Sequence, residues 1–289
     1  MIIDWYPGHM KKARQQIIDV LPTIDVFIEI LDARLPVSSS NPMLEKLRRD
    51  KPCVKILNKN DLADPEVTQA WVRYFERQNG VRALPIEARQ HQEVARIIKL
   101  CRILAPNRGR PGRSLRAMVV GIPNVGKSTL INTLAGRKIA RVGDKPAITT
   151  CPQQIDLRNG ILLSDTPGLL WPVMDNPAGA SRLATSGAIG DSAIDYVAVA
   201  QFAMDFMLEH YPEAVAERYR LTEKPQSAMS ALEEIGRRRG CLVSGGDIDL
   251  HRSAEIFLRE LRAGLLGRIS LETPRDIMVE SRDEPAATV

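Results

Sequence analysis

The segment Gly121-Ile-Pro-Asn-Val-Gly-Lys-Ser128 constrains this chain more than any other, because it satisfies GxxxxGK(S/T) directly after the apolar run AMVV and directly before a helical stretch opening at Lys127. Its glycines let the backbone wrap a phosphate with amide groups, and the helix that follows offers its positive N-terminal end. Lys127 reaches the β and γ phosphates and Ser128 supplies a hydroxyl for Mg²⁺. Asn124, Val125, Gly126 and Thr129 complete the expected phosphate-binding set. Such a loop sits where a strand of an α/β sheet hands over to a helix.

The surrounding sequence fits that frame. Apolar, β-branched runs at Asp25–Leu31, Cys53–Leu57, Met118–Gly121 and Ile161–Leu163 read as buried parallel strands. Between them, Glu93–Leu104 places Val94, Ile97, Ile98, Cys101 and Leu104 at helical spacing. The expectation is an α/β domain, a mostly parallel sheet with helices on both faces, over residues 1–176. The segment 105–116 (APNRGRPGRSLR) reads as an exposed, arginine-rich connector inside it. From about Pro177 the pattern turns helical, giving a smaller all-helical domain at 177–280 and a polar tail at 281–289. Within it, Leu250, Ala254, Phe257, Leu258, Leu261 and Leu265 form a stripe behind an N-cap at Asp249.

A second strand, ILLS, ends in Asp165-Thr-Pro-Gly168, where Asp165 is placed to hold Mg²⁺ through water and the Gly168 amide to sense a γ-phosphate. Thr149, between the two motifs, is the candidate switch threonine and third metal contact. Base identity is read from Asn58-Lys-Asn-Asp61 after the run CVKIL. A carboxylate at Asp61 accepts from both N1–H and N2–H of guanine, which adenine does not offer; Asn58 addresses the other edge and Lys59 packs across the ring. Glu87 and Ala88, in PIEAR, are the expected backbone support for guanine O6. Together these motifs point to GTP and GDP as ligands, with the guanine-reading motifs preceding the phosphate loop: a circularly permuted P-loop GTPase domain. A P-loop kinase would have no reason to carry NKxD. A signalling GTPase would share the nucleotide motifs without needing a basic helical domain.

Composition narrows the setting. A formal charge of +5 and a pI near 9.1 favour polyanionic partners. The four cysteines stand apart without a CxxC pair, which excludes a disulfide framework or zinc site and fits a reducing compartment. No run of about 18 apolar residues occurs, so a cytoplasmic protein off the membrane is expected.

Trp5-Tyr-Pro-Gly-His-Met10, Asp32-Ala-Arg34, the permuted order, DTPGLLWP at 165–172 and GCLVSGGDIDL at 240–250 together resemble the YlqF/RbgA family of circularly permuted GTPases over nearly the whole chain. The resemblance implies an enzyme that assists late assembly of the large ribosomal subunit, with the helical domain on ribosomal RNA. Arg237, Arg238, Arg239, Arg252, Arg259 and Arg262, otherwise a solvated helix face, then read as phosphate contacts. Leu169 and Leu170 stand where a water-positioning glutamine is usual, and the resemblance suggests His9 instead; capping or packing of the N-terminal segment is the other role open to it. Lys127 and Thr149 join His9 as the expected catalytic set. Asn124 resembles the asparagine that ligates K⁺ in potassium-stimulated GTPases, or it shapes the loop. Ala147 departs from the family's usual glycine, and Tyr6 from its common phenylalanine.

Overall fold

A computed structural model describes residues 8–110, 112–140, 153–166, 168, 176–190 and 194–276, the side chains from residue 14 onward. The chain divides into two compact units: one holds the residues before Asn176 together with those from Glu272, the other is Asn176–Leu271. The chain therefore returns to its first unit at Glu272, whereas the sequence reading carried the helical region on to residue 280.

The first unit is built on one six-stranded sheet in the order β3-β2-β1-β4-β6-β5. β1 (Val26–Asp32), β2 (Cys53–Asn58), β3 (Val81–Pro85), β4 (Leu115–Gly121) and β6 (Ile161–Asp165) are parallel, and β5 (Gln153–Asp156) runs antiparallel at one edge. Every residue of β1 and β2 is buried, as strands covered on both faces require. Two charges interrupt these apolar runs, and the register explains them: Glu29 lies opposite Lys55. Lys55 Nζ donates to Glu29 Oε2 at 2.6 Å, and Ser40 Oγ donates to Glu29 Oε1 at 2.8 Å. Burial acts to lower the Lys55 pKa, and the Glu29 carboxylate reverses this and raises it.

The helices begin at side-chain caps. Asn41 opens α2 (Pro42–Arg48) by accepting from Met43 N, and Asp64 opens α3 (Pro65–Glu76) by accepting from Glu66 N and Val67 N, each with proline in the first turn. α1 (Gly8–Val20), α4 (His91–Leu104) and α5 (Lys127–Ala135) complete the unit's long helices among the described residues. The expected connector is shorter than read, since β4 starts at Leu115; ahead of it Arg110 and Arg113 bridge across a tight turn.

The second unit contains α6 (Pro177–Ser186), α7 (Tyr196–His210), α8 (Pro212–Tyr219), α9 (Ala228–Arg239) and α10 (Leu250–Arg262). α7, α9 and α10 pack on one another through Ala203, Met204, Met207, Leu232, Ile235, Phe257 and Leu258, all fully buried. Asp249 caps α10 by accepting from Arg252 N at 2.9 Å. Leu265, expected in the buried stripe, lies past the end of the helix and is 52% exposed.

Candidate nucleotide site

In an open parallel sheet, ligands bind beyond the carboxyl ends of the strands, where strand order reverses direction. Here the reversal falls between β1 and β4, and those ends carry Asp32, Asn58, Gly121 and Asp165, with residues 87–89 just past β3. The motifs that the chain order separates are therefore neighbours. Asn58 joins them: its Nδ2 donates to Val125 O of the phosphate loop at 2.7 Å, and its Oδ1 accepts from Ala88 N at 2.9 Å.

At the phosphate end, Lys127 opens α5 and its Nζ donates to Asp165 Oδ1 at 2.7 Å, both side chains being buried. The lysine expected at the phosphates and the carboxylate expected at Mg²⁺ thus pair directly, one from the start of α5 and one from the end of β6, with Ser128 in the first turn of the same helix. That donor set, one carboxylate and one hydroxyl at a helix N-terminus, suits a hard divalent cation that keeps several waters. Thr166 Oγ1 secures the strand end by donating to Val119 O at 2.8 Å. Gly126 has φ +101°, and a Cβ there would stand 2.2 Å from Asn58 Nδ2, so only glycine permits the loop and the base motif to meet. Gly168 also lies close to the loop, its notional Cβ 3.1 Å from Pro123 N. Asn124 is exposed with φ +58°, a left-handed conformation that asparagine tolerates.

At the base end, Lys59 takes φ +61° and its Nζ donates to Asp32 Oδ2 at 2.9 Å. Arg34 grips the same carboxylate with two further bonds, Nε to Oδ1 at 2.9 Å and Nη2 to Oδ2 at 2.8 Å. Burial would raise the Asp32 pKa, but Arg34 and Lys59 overcome it and hold the carboxyl well below the usual carboxylate range. Asp61 is exposed, in the short turn Asn60–Leu62. Ala88 is held at both its backbone groups, since Thr133 Oγ1 of α5 donates to Ala88 O at 2.8 Å. Because its amide already serves Asn58, a bond from Ala88 to guanine O6 has to share that donor. Glu87 N likewise donates to Glu93 Oε2 at 2.6 Å.

Known proteins resemble this arrangement throughout. A family model described as 50S ribosome-binding GTPase matches residues 116–228. Ribosome biogenesis GTPase A of Bacillus cereus is 45% identical over 290 residues, covering 98% of each chain. The chain belongs to the ribosome biogenesis GTPase A family. Of solved structures, the GDP-bound structure of TM YlqF is 29% identical with a TM-score of 0.67, covering 90% of this chain and 100% of that one. The GNP-bound YlqF from T. maritima is 28% identical with a TM-score of 0.65, covering 91% and 98%. As a member of this family the chain is a GTP-hydrolysing enzyme with a P-loop fold.

Several expected residues of this GTPase lie elsewhere or outside the described residues. Thr149, Ala147, Leu169, Leu170, Trp5, Tyr6 and Pro7 are outside them, as is the side chain of His9, whose backbone belongs to α1. In the second unit, Arg237 and Arg238 pair with Glu234, Arg259 with Glu255, and Arg239 with Glu260 at 2.8 Å. Arg252 is exposed. Arg262 departs from the expected phosphate contacts: its Nε and Nη2 donate to Thr185 O and Ala184 O at 3.0 and 2.8 Å, capping the C-terminus of α6. Sequence reasoning assigned no role to Asp32 and Arg34 beyond family likeness. The available signal was a carboxylate at a strand end with arginine two residues later. It missed Glu272 altogether, whose fully buried carboxylate accepts from Val37 N, Ser38 N and Ser38 Oγ.

Proposed function

We propose that this GTPase binds the large ribosomal subunit and its rRNA, assists late assembly, and uses GTP hydrolysis to GDP and phosphate as its release switch. The observation that carries this reading is the span of the family match: residues 116–228 run from β4 and the phosphate loop through α8, across the unit boundary at Asn176. Nucleotide chemistry and the first helices of the second unit thus fall in one stretch, described for that family as a 50S ribosome-binding GTPase. Arg237, Arg238, Arg239, Arg252 and Arg259 are the proposed phosphate contacts. Four of them pair with exposed or partly exposed carboxylates, which rRNA phosphates can replace, and Arg239 also lies over the Tyr219 ring.

In the nucleotide site, Lys127 carries the positive charge for the β and γ phosphates, and Asp61 selects guanine. Ser128, Asp165 and Thr149 are the proposed holders of Mg²⁺, which when bound neutralises charge developing on the phosphoryl oxygens. Asn124 is the proposed K⁺ ligand and His9 the proposed water-positioning residue. A cytoplasmic location follows from the ribosome-directed role, and no described helix is long and apolar enough to cross a membrane.

The deciding experiment measures affinity for purified large subunits with a non-hydrolysable GTP analogue and with GDP over a salt series. Tighter binding in the GTP state by about 1–3 kcal/mol is expected, a size typical of allosteric coupling. Equal affinities would defeat the switch, and a flat salt dependence would defeat the RNA contact. Asp61→Asn is expected to weaken GTP binding by about 2–3 kcal/mol, because a paired acceptor becomes a donor. Equal GTP and ATP affinity in the unmutated protein would overturn the guanine assignment.

A further inference from the structure

Asp32 ends β1 between the two halves of the nucleotide site, and none of the nucleotide motifs accounts for it. Its side chain is 3% exposed and accepts four hydrogen bonds, three from Arg34, including its backbone N at 3.1 Å, and one from Lys59. The backbone is fixed as well, since Asp32 N donates to Ser39 Oγ at 3.0 Å. Replacing a buried ion pair with apolar residues is often neutral for stability, so its presence at a site edge calls for a reason beyond stability.

The geometry supplies one. Lys59 is not glycine, yet it holds a left-handed backbone conformation at φ +61°, ψ 34°, a strain that persists only where surroundings over-determine it. Asp32 provides that restraint by holding the ammonium end of the side chain. The next residues form the single turn Asn60–Leu62, so the conformation of Lys59 sets the direction in which Asp61 leaves the strand. Burial acts to lower the Arg34 pKa, and Asp32, with a smaller contribution from Asp61, raises it.

We propose that Asp32 and Arg34 are positioning residues for base recognition: by pinning Lys59, they aim the Asp61 carboxylate at N1–H and N2–H of guanine and so set purine selectivity. This rests on the assignment of residues 58–61 as the guanine reader. It predicts an effect confined to one edge of the base. Inosine nucleotides keep N1–H and lack the 2-amino group, so the ratio of GDP to IDP affinity reports the aim of Asp61 directly.

The test compares binding of fluorescent GDP and IDP to the whole chain and to Arg34→Lys, which keeps the charge and loses the two-pronged grip. Arg34→Lys is expected to weaken GDP about tenfold and IDP much less, raising KM for GTP while leaving kcat unchanged. Ser39→Ala, which removes the acceptor for Asp32 N, is expected to show the same selective loss at about threefold. It decides the matter if Arg34→Lys does not fold. Parallel weakening of both nucleotides, or an unchanged GDP to IDP ratio in both variants, would overturn the proposal. Absence of any GDP preference over IDP in the unmutated protein would instead overturn the guanine assignment beneath it.

Discussion

The two units treat charge in opposite ways. In the first, Asp32 with Arg34, Glu29 with Lys55, and Asp165 with Lys127 are buried ion pairs, every partner under a tenth exposed at the side chain. In the second, the cations of the pairs on α9 and α10 are 35% to 74% exposed. Buried pairs are geometrically committed, because removing one partner leaves the other without compensation. Exposed pairs contribute little to stability and exchange partners readily. Fixed charges suit a site that must recognise one small ligand with the same geometry on each cycle. Loosely held charges suit a surface that trades carboxylates for a polyanion.

This contrast is open to direct attack. The largest effect on stability is expected from Glu29→Gln, which strands Lys55 in the sheet and should cost about 3 kcal/mol or more in urea unfolding. Replacing both partners with apolar residues should recover most of that loss; if the single variant unfolds like the parent, burial does not commit these charges. Lys127→Ala should lower kcat for GTP by about 10²–10³-fold, the range for losing one donor to a transition-state oxyanion, in single-turnover assays. Acid sharpens the same point. Because the Asp32 pKa is depressed on folding, its stabilisation is full above the ordinary carboxylate value and is lost as pH falls through the lowered one. Melting temperatures should therefore hold from neutrality to about pH 5 and fall below about pH 4, and Asp32→Asn should flatten that acid limb.

The second unit should behave otherwise. Arg252→Gln is expected to reduce the salt slope of subunit binding by about one unit or less, with stability unchanged. Arg262→Gln should leave the slope alone and lower stability by about 1 kcal/mol, through the lost cap on α6. A reversed pattern would reassign Arg262 to the RNA face. Least of all, Glu234→Gln should leave the unfolding midpoint where it was and raise RNA affinity slightly by freeing Arg237 and Arg238.

How much of this was legible in the sequence differs between the ends of the site. The phosphate loop is a local object, a strand, a turn and a helix start within Leu115–Ala135, and those elements fall where the apolar run and the glycines put them. The base end is assembled from β1, β2, β3 and α5, so the motif NKND was visible while the clamp made by Asn58, and the support from Asp32, Arg34 and Thr133, was not. β3 and β5 escaped notice for a related reason. Both are edge strands, where Val81–Pro85 carries an exposed Arg82 and Gln153–Asp156 buries only Ile155, so neither has a continuous apolar run. The interruptions at Glu29 and Lys55 were a usable hint, since opposite charges inside two apolar strands predict that those strands pair in register.

The return of the chain at Glu272 bears on how the molecule is made. Val37 and Ser38 leave the ribosome early, yet the carboxylate that satisfies them lies 235 and 234 residues later, after every described helix of the second unit. Closing so long a span is inexpensive, because the entropy of closure grows only with the logarithm of its length. Timing is the real constraint. A nascent chain stopped between Asp165 and Glu272 holds all six strands of the sheet while its loop after β1 lacks its acceptor, and buried donors without acceptors are destabilising. The loop that carries Arg34 thus matures late although it is translated among the first segments, and with the role proposed for Arg34, full-strength base recognition would be reserved for chains whose synthesis has run as far as Glu272.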